Sequence, residues 1–506
     1  MRAAARLLRV FSLALVVALA FLIIPAVTDS GQRASADGPY TLIYYDGHMH
    51  TTRSDGNGSV ANIKATALAR GLSAVIVTDH CDMLTLAEWQ SLVADTAAAT
   101  DGSFVALPGY EITGSEGIFN RGHMNAFNAP DPFVGNDADE LCPDEVWLDP
   151  PNPAGTGANA ASVTAWAEYV RAQDGIAQHN HTSGSTQPGY GVNLIEVYNE
   201  SHIDDVIYYA KLLGYSDAQA YGFALTLNNL NVYGERDLGM LVPFPGQPAP
   251  IPLRMAVYYA TLGMGGVGQW LGSPQAPLNS WDALLMAYVD GTTDVPTFGV
   301  ANSDDHNTAS PQSKVGVAKN GLLVTALTPQ AIYEAIGAGR MFATTGPSLA
   351  FDVNGKLMGE TLYTGLGGPT HLNLSANSAS PTAVLVKIDV IKNGEVMQTL
   401  SPMSPSYSGT IDDTVSGSGY YRVEVTSLDM ADSKYHFAYS NPVFFNRYGG
   451  TVGGTVDLRD GTSPASVDEP GAAAFPYVPL AAAGAVAVLT IAGGAWYASR
   501  RRVKQD

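Results

Sequence analysis

Residues 44–56 read YYDGHMHTTRSDG and place two histidines, His48 and His50, one residue apart at the end of an apolar run. Alternate residues of a strand project to the same side, and imidazole is the commonest side-chain metal ligand, so this pair can grip one ion. An HxH on its own is more often a chance pair in a solvated turn. The rest of the chain decides between the two.

From Tyr40 to about Gly346, short apolar runs alternate with amphipathic stretches. LSAVIVTDH, FVALPGYEIT, HMNAFN, GIAQHNH, NLIEVYN and TFGVANSDDH read as buried parallel strands. SVANIKATALARG follows the first strand as a helix, with Ser59 as its N-cap and Gly71 as its stop. Repeated strand–helix alternation predicts an α/β barrel or a doubly wound sheet. A Tyr-, Gly- and Pro-rich stretch over about 203–278 interrupts the rhythm as an insertion. After Gly346, AVLVKIDVIKNGEVMQTL and GYYRVEVTSLD alternate with period two, the first broken by the hairpin signal Asn393-Gly394, which predicts a small β-sandwich. No internal repeat is visible.

The two ends point out of the cytoplasm. Arg2, Arg6 and Arg9 precede the apolar run Val10–Val27 and the Ala34-Ser35-Ala36 site, as in a secretory signal peptide; an uncleaved anchor is the alternative. Residues 475–499 carry no charge and are followed by Arg500, Arg501, Arg502 and Lys504, the pattern of one transmembrane helix with a cytoplasmic basic tail. The expected organisation is a signal peptide over 1–36, an α/β body over 37–350, a β-sandwich over 351–446, a flexible stalk over 447–474, the membrane helix over 475–499 and the tail over 500–506. This places the body outside the cell, held on the membrane by one span. A formal net charge of -21 excludes nucleic acid as a partner, because polyanion binding needs a basic surface. Cys81 and Cys142 are the only cysteines, so one bridge is open to the chain and a disulfide scaffold is not.

Eight of the ten histidines lie between His48 and His306, most at the C-terminal ends of predicted strands, where Asp55, Asp79, Glu111 and Asp304 also fall. α/β barrels build their sites from that end of several strands. Imidazoles mixed with carboxylates and without thiolates suit Zn, Mn or Fe. His48, His50, Asp55, His80, Glu111, His123, His181, Asp304 and His306 are too many for one ion and enough for two or three.

DGHMHTTRSDG, VTDH, PGYE, GHMNAF and NSDDH, in that order, resemble the successive metal-binding motifs of the PHP (polymerase and histidinol phosphatase) superfamily, over about Tyr40 to Pro347. GVANSDDHN followed by TPQAIYEAIGAGRMFATTGP is similar to its exported branch that includes carbaryl hydrolase. The resemblance implies a distorted (β/α)7 barrel with two or three divalent metal ions and phosphoesterase activity. It implies that His48, His50, Glu111 and Asp304 hold one ion, that Asp55, His80 and His123 belong to a neighbouring one with Glu111 bridging, and that His181 and His306 complete the cluster. Asp55 stands where many relatives have a further histidine. In GIAQHNHTSG the family spacing selects His181, while His179, on the same side of the strand, is a partner or the ligand itself. Either histidine is a candidate to protonate the leaving group.

Asp79 reads as a residue that orients a ligand or as a turn residue, and Glu196 and Asn199 as supports of the site or of buried backbone. His202 reads as part of a surface turn, His371 and His436 as sandwich residues, and Arg121 and Arg340 as surface or structural arginines. The expected function is hydrolysis of a small-molecule phosphate ester by a metal-bridged hydroxide. Hydrolysis of a carboxylic or carbamic ester is the alternative within the same chemistry, and a non-catalytic surface binding protein the alternative of another class.

Overall fold

The computed structural model describes residues 40–112, 123–129, 160–180, 191–212, 281–365, 367–431 and 434–447, with short pieces between 216 and 252. The segments expected as signal peptide, stalk beyond Arg447, membrane helix and basic tail lie outside the described residues. Among the described residues no helix is long and apolar enough to cross a membrane.

One mixed sheet organises the body. It contains β1 (Thr41–Asp46), β2 (Ala74–His80), β3 (Val105–Ile112), β4 (Met124–Phe127), β5 (Ile176–His179), β6 (Leu194–Asn199) and, after a small pair of β7 (Leu241–Val242) with β8 (Ile251–Pro252), β9 (Phe298–Asn302). β1, β2 and β3 run parallel, as do β5, β6 and β9. The expectation of uniformly parallel strands fails at β4, which is antiparallel to both neighbours. Its connection from β3 falls short of the dozen or so residues that a parallel crossover needs.

Helices cover the strands. α1 (Val60–Ala69) starts at Ser59, whose side chain accepts from the Asn62 backbone while Asn62 answers in a capping box, and Gly71 takes φ 75° just beyond its end. α2 (Leu86–Ala99), α3 (Ala160–Arg171), α4 (Glu200–Leu212), α5 (Trp281–Val289) and α6 (Pro329–Gly337) follow. His202 therefore lies in helix α4 and not in a surface turn. Successive strand residues face opposite layers: Val75 and Val77 pack with Ile63 of α1, Leu92 of α2 and Trp166 of α3, while Ile76 packs with Trp281 of α5 and Ile332 of α6.

On the other edge of β1, the sheet continues antiparallel through β10 (Lys319–Val324) and β11 (Met341–Thr344). The C-terminal strands are β12 (Ser348–Val353), β13 (Lys356–Leu357), β14 (Thr361–Leu362), β15 (Pro369–Asn377), β16 (Ala383–Lys392), β17 (Glu395–Leu400), β18 (Ser406–Thr414), β19 (Gly419–Asp429), β20 (Lys434–Ser440) and β21 (Val443–Phe445). Because β11 pairs with β20, the large sheet runs unbroken into this region. A second sheet, β13-β12-β15-β18, faces it across Leu349, Phe351, Leu372, Ile388, Val390 and Val423. Asn393 and Gly394 both take positive φ in the β16–β17 hairpin, as the sequence predicts.

β9 ends the hydrogen-bonded order, and two asparagines take the place of a further strand. Asn441 Oδ1 accepts from Gly299 N at 2.7 Å, and its Nδ2 donates to Gly299 O at 3.2 Å and to Met341 O at 3.0 Å. Asn320 Oδ1 accepts from Ala301 N at 2.9 Å, and its Nδ2 donates to Ala301 O at 2.8 Å. Past β9 the chain bridges back to the segment after β1. His50 N donates to Asp305 O and Asp304 N to His48 O, each at 2.9 Å. The strand path thus returns to β1 at the end that carries His48 and His50.

Candidate metal centre

His48 and His50 are fully buried where β1 ends. The following loop folds back on them: a Cβ at Gly56 would lie 2.4 Å from His50 O, so only glycine allows that approach. Asp79 at the end of β2 holds this loop, accepting from Thr51 N at 2.6 Å, Thr51 Oγ1 at 2.7 Å and Ser54 Oγ at 2.6 Å. Its role is to place the segment that carries Asp55. His80 and Glu111 are register partners on β2 and β3, and His123 precedes β4. Asp304 takes φ 52°, a left-handed conformation that aspartate tolerates better than most residues, and Ser201 Oγ donates to its carbonyl at 2.7 Å.

Nitrogens and oxygens converge. Glu111 Oε2 lies 3.2 Å from His48 Nε2, 3.3 Å from His50 Nε2 and 3.1 Å from His80 Nδ1, and Glu111 Oε1 lies 3.1 Å from His123 Nδ1. Asp304 Oδ1 is 3.3 Å from His48 Nε2 and 3.2 Å from His50 Nε2. Asp55 Oδ1 is 3.2 Å from His306 Nε2, 3.6 Å from His80 Nε2 and 3.8 Å from His50 Nδ1. Among the described residues three groups have ligand atoms within 4.8 Å of one another: His48, His50 and Glu111; His80, Glu111 and His123; and His50, Asp55, His80 and His306. Asp55 thus sits with His50, His80 and His306, whereas His123 joins His80 through Glu111.

The electrostatics favour cations. Burial disfavours the His48 imidazolium, yet Asp304, Glu111 and Glu196 outweigh it and hold that group well above the ordinary imidazole range. His50, buried but facing Asp304 and Glu111, is pushed up to about 10. Burial opposes ionisation of Glu111, but the surrounding histidines hold its carboxyl well below the usual range. His80 goes the other way, to about 3, through burial and the neighbouring His50 and His123 against the pull of Glu111. The carboxylates draw positive charge into the cluster, which protons supply poorly because adjacent imidazoliums repel. His50 Nδ1 is buried without a hydrogen-bond partner. Hard-to-borderline ligands, buried, at these separations, fit divalent metal ions.

His181 lies outside the described residues. His179 is buried but on the far face of β5: Gln178 and Asn180, its neighbours, turn to the site, where Asn180 Nδ2 donates to Glu111 Oε1 and Asn125 Oδ1 at 2.8 Å each. His179 is therefore not brought into the cluster. His371 pairs with Asp412 on the sandwich surface, and Arg340 stacks over Tyr40 next to the start of β1, the end opposite His48. Arg121 lies outside the described residues. Sequence reading missed Asn180, Gln178, Asn302 and Asp46, whose carboxylate accepts from Ser303 N at 3.1 Å and Gly316 N at 2.8 Å. Their one signal was the polar character of strand ends inside otherwise apolar runs.

No protein-family model matches the chain. An uncharacterized protein of Chlamydia pneumoniae is 30% identical over an alignment of 152 residues that covers 27% of this chain; the chain spans about a quarter of that relative's length, 24%. Among solved structures, a two-domain protein of Bacteroides vulgatus containing a predicted PHP-like metal-dependent phosphoesterase is similar at 14% identity and a TM-score of 0.33, covering 80% of this chain and 95% of that one. A putative metal-dependent phosphoesterase of Bifidobacterium adolescentis covers 31% of this chain and 77% of its own at 15% identity and a TM-score of 0.20. An amidohydrolase of Chromobacterium violaceum, with bound sulfate and no metal, covers 35% of this chain and 84% of its own at 16% identity and a TM-score of 0.20. Likenesses this distant assign neither family nor activity to the chain.

Proposed function

We propose that this chain is an extracytoplasmic, membrane-anchored, metal-dependent hydrolase with a distorted (β/α)7 barrel, acting on a phosphate ester. The observation that carries it is Glu111: one buried carboxylate set among His48, His50, His80 and His123 at 3.1–3.3 Å, shared by two of the three ligand groups. Two or three divalent ions, Zn, Mn or Fe, held there would acidify a water near neutral pH and offset charge growing on phosphoryl oxygens. The chain's own part is to hold the ligand atoms before substrate arrives. Asn180 orients Glu111, Asp79 holds the loop of Asp55, and the bridge from His48 to Asp304 holds the two sides of the site together. In this reading His181 protonates the leaving oxygen. The ordered PHP-like motifs support the choice of phosphate over other esters.

The location outside the cytoplasm is supported by the two terminal segments and by Cys81, which is disulfide-bonded next to His80 in a chain with one other cysteine. The test is a parallel assay of the full chain in detergent with a chromogenic phosphodiester, a phosphomonoester and an aryl ester, before and after exhaustive chelation. Phosphoester turnover lost on chelation and restored by Mn²⁺, Zn²⁺ or Fe²⁺ is expected. Turnover of the aryl ester alone would move the substrate class, turnover that survives complete metal removal would overturn the mechanism, and no turnover with metal bound would favour a binding protein.

A further inference from the structure

Glu196, in the middle of β6, is 2% exposed and surrounded by donors. Its Oε1 lies 2.8 Å from His48 Nδ1 and accepts from Asn302 Nδ2 at 3.0 Å and Gln178 Nε2 at 3.3 Å; its Oε2 accepts from Asn199 Nδ2 at 2.9 Å. The Asn302 amide is oriented from outside this group. Asn302 Oδ1 accepts from the backbone N–H of Gly47 at 3.0 Å, which leaves the Asn302 amide nitrogen to face Glu196. With Asn302, Gln178 and Asn199 all presenting N–H groups to it, Glu196 is placed to accept from His48 Nδ1, which then carries the hydrogen. That leaves Nε2, the atom that faces Glu111 and Asp304, to give up its proton when an ion binds and become the ligating nitrogen. His50 has no such arrangement: its Nδ1 is buried without a hydrogen-bond partner, 3.8 Å from Asp55.

We infer that Glu196 is a positioning residue that sets the tautomer of His48 and, through it, the affinity of the ion held by His48, His50, Glu111 and Asp304. The inference rests on the metal-centre reading above. A carboxylate behind a ligating imidazole fixes the ring and raises its basicity, and loss of such a partner weakens metal binding about 10–100-fold. Asn199 donates to the other oxygen of Glu196 and to Asp304 Oδ2 at 3.4 Å and so belongs to the same support; Ser59, the cap of α1, serves as the control.

The test uses the full chain in detergent and Zn²⁺ alone. Competition with a chromogenic chelator should show the first Zn²⁺ bound about 10–100-fold more weakly by Glu196→Gln, with Ser59→Ala close to the unsubstituted protein. Glu196→Gln with unchanged zinc affinity, whatever its melting temperature, would overturn the inference and leave the metal centre standing. An unsubstituted chain that binds no Zn²⁺ would overturn both. A measurement on the unsubstituted protein needs no folded Glu196 variant: in the ¹⁵N spectrum of the zinc-loaded histidine-labelled chain, His48, assigned by its loss in His48→Gln, should carry its hydrogen on Nδ1. A hydrogen on Nε2 would overturn the inference.

Discussion

Two buried charged clusters among the described residues differ in where their positive charge comes from. Between α5 and β19, the Arg422 guanidinium is fully buried against Asp282, with Nε to Oδ1 and Nη2 to Oδ2 both at 2.8 Å, and it also pairs with Glu424. Tyr420 OH adds a bond to Asp282 at 2.6 Å, and the Trp281 ring lies 4.8 Å below the guanidinium. Permanent cation, bidentate geometry and aromatic cover make a cluster complete in itself. At the ends of β1, β2 and β3, by contrast, Glu111, Asp304 and Asp55 face imidazoles, whose charge is conditional on a proton. The first arrangement holds two layers together; the second calls for an ion.

The comparison can be broken at Glu111. Glu111→Gln keeps the size but removes the charge shared by two ligand groups, so metal per chain should fall and kcat/KM should drop by more than about 100-fold, beyond the range of outer-shell partners. Metal analysis and turnover on the same preparation check it; full metal content with near-normal activity would return Glu111 to the class of structural acids.

Arg422→Met probes the other side. It leaves Asp282 and Glu424 buried without their guanidinium, at a cost of about 3–5 kcal/mol, read from denaturant unfolding. Saturating Zn²⁺ should still stabilise this variant, by about 2.7 kcal/mol at a hundred times Kd, whereas Glu111→Gln should lose that increment. Equal zinc protection in both variants would erase the distinction between the clusters.

Asn441 lies between the two, reaching from the sandwich to β9 five residues before Asp304. Asn441→Ala removes the partners of Gly299 N and O and should cost about 1–3 kcal/mol in unfolding. The smallest effect is expected at Ser59→Ala, which removes the cap of α1 for about 1 kcal/mol and should leave metal content unchanged. Loss of metal in that variant would show the site to be less insulated from the helix layer than its own hydrogen bonds imply.

Local signals were legible because their physics is local. Ser59 and Asn62 cap a helix within three residues, and Asn393-Gly394 turns a hairpin because both must take positive φ. The histidine and carboxylate inventory was legible for a related reason: ionisable residues at the ends of apolar runs are rarely there by chance, and alternation on a strand tells which of them share a side. Among the described residues His48, His50, Asp55, His80, Glu111, His123, Asp304 and His306 come together, and His179, which alternation about Asn180 sends to the other face, does not. Strand–helix rhythm, turns and ligand types were readable from neighbouring residues alone. Packing fixed the rest: Asn441 finishes the edge of β9, Arg422 meets Asp282 across 140 residues and Glu196 meets His48 across 148. Each of those is a contact between segments far apart in the chain, whose partners are chosen by the packing of whole layers and leave no spacing to read.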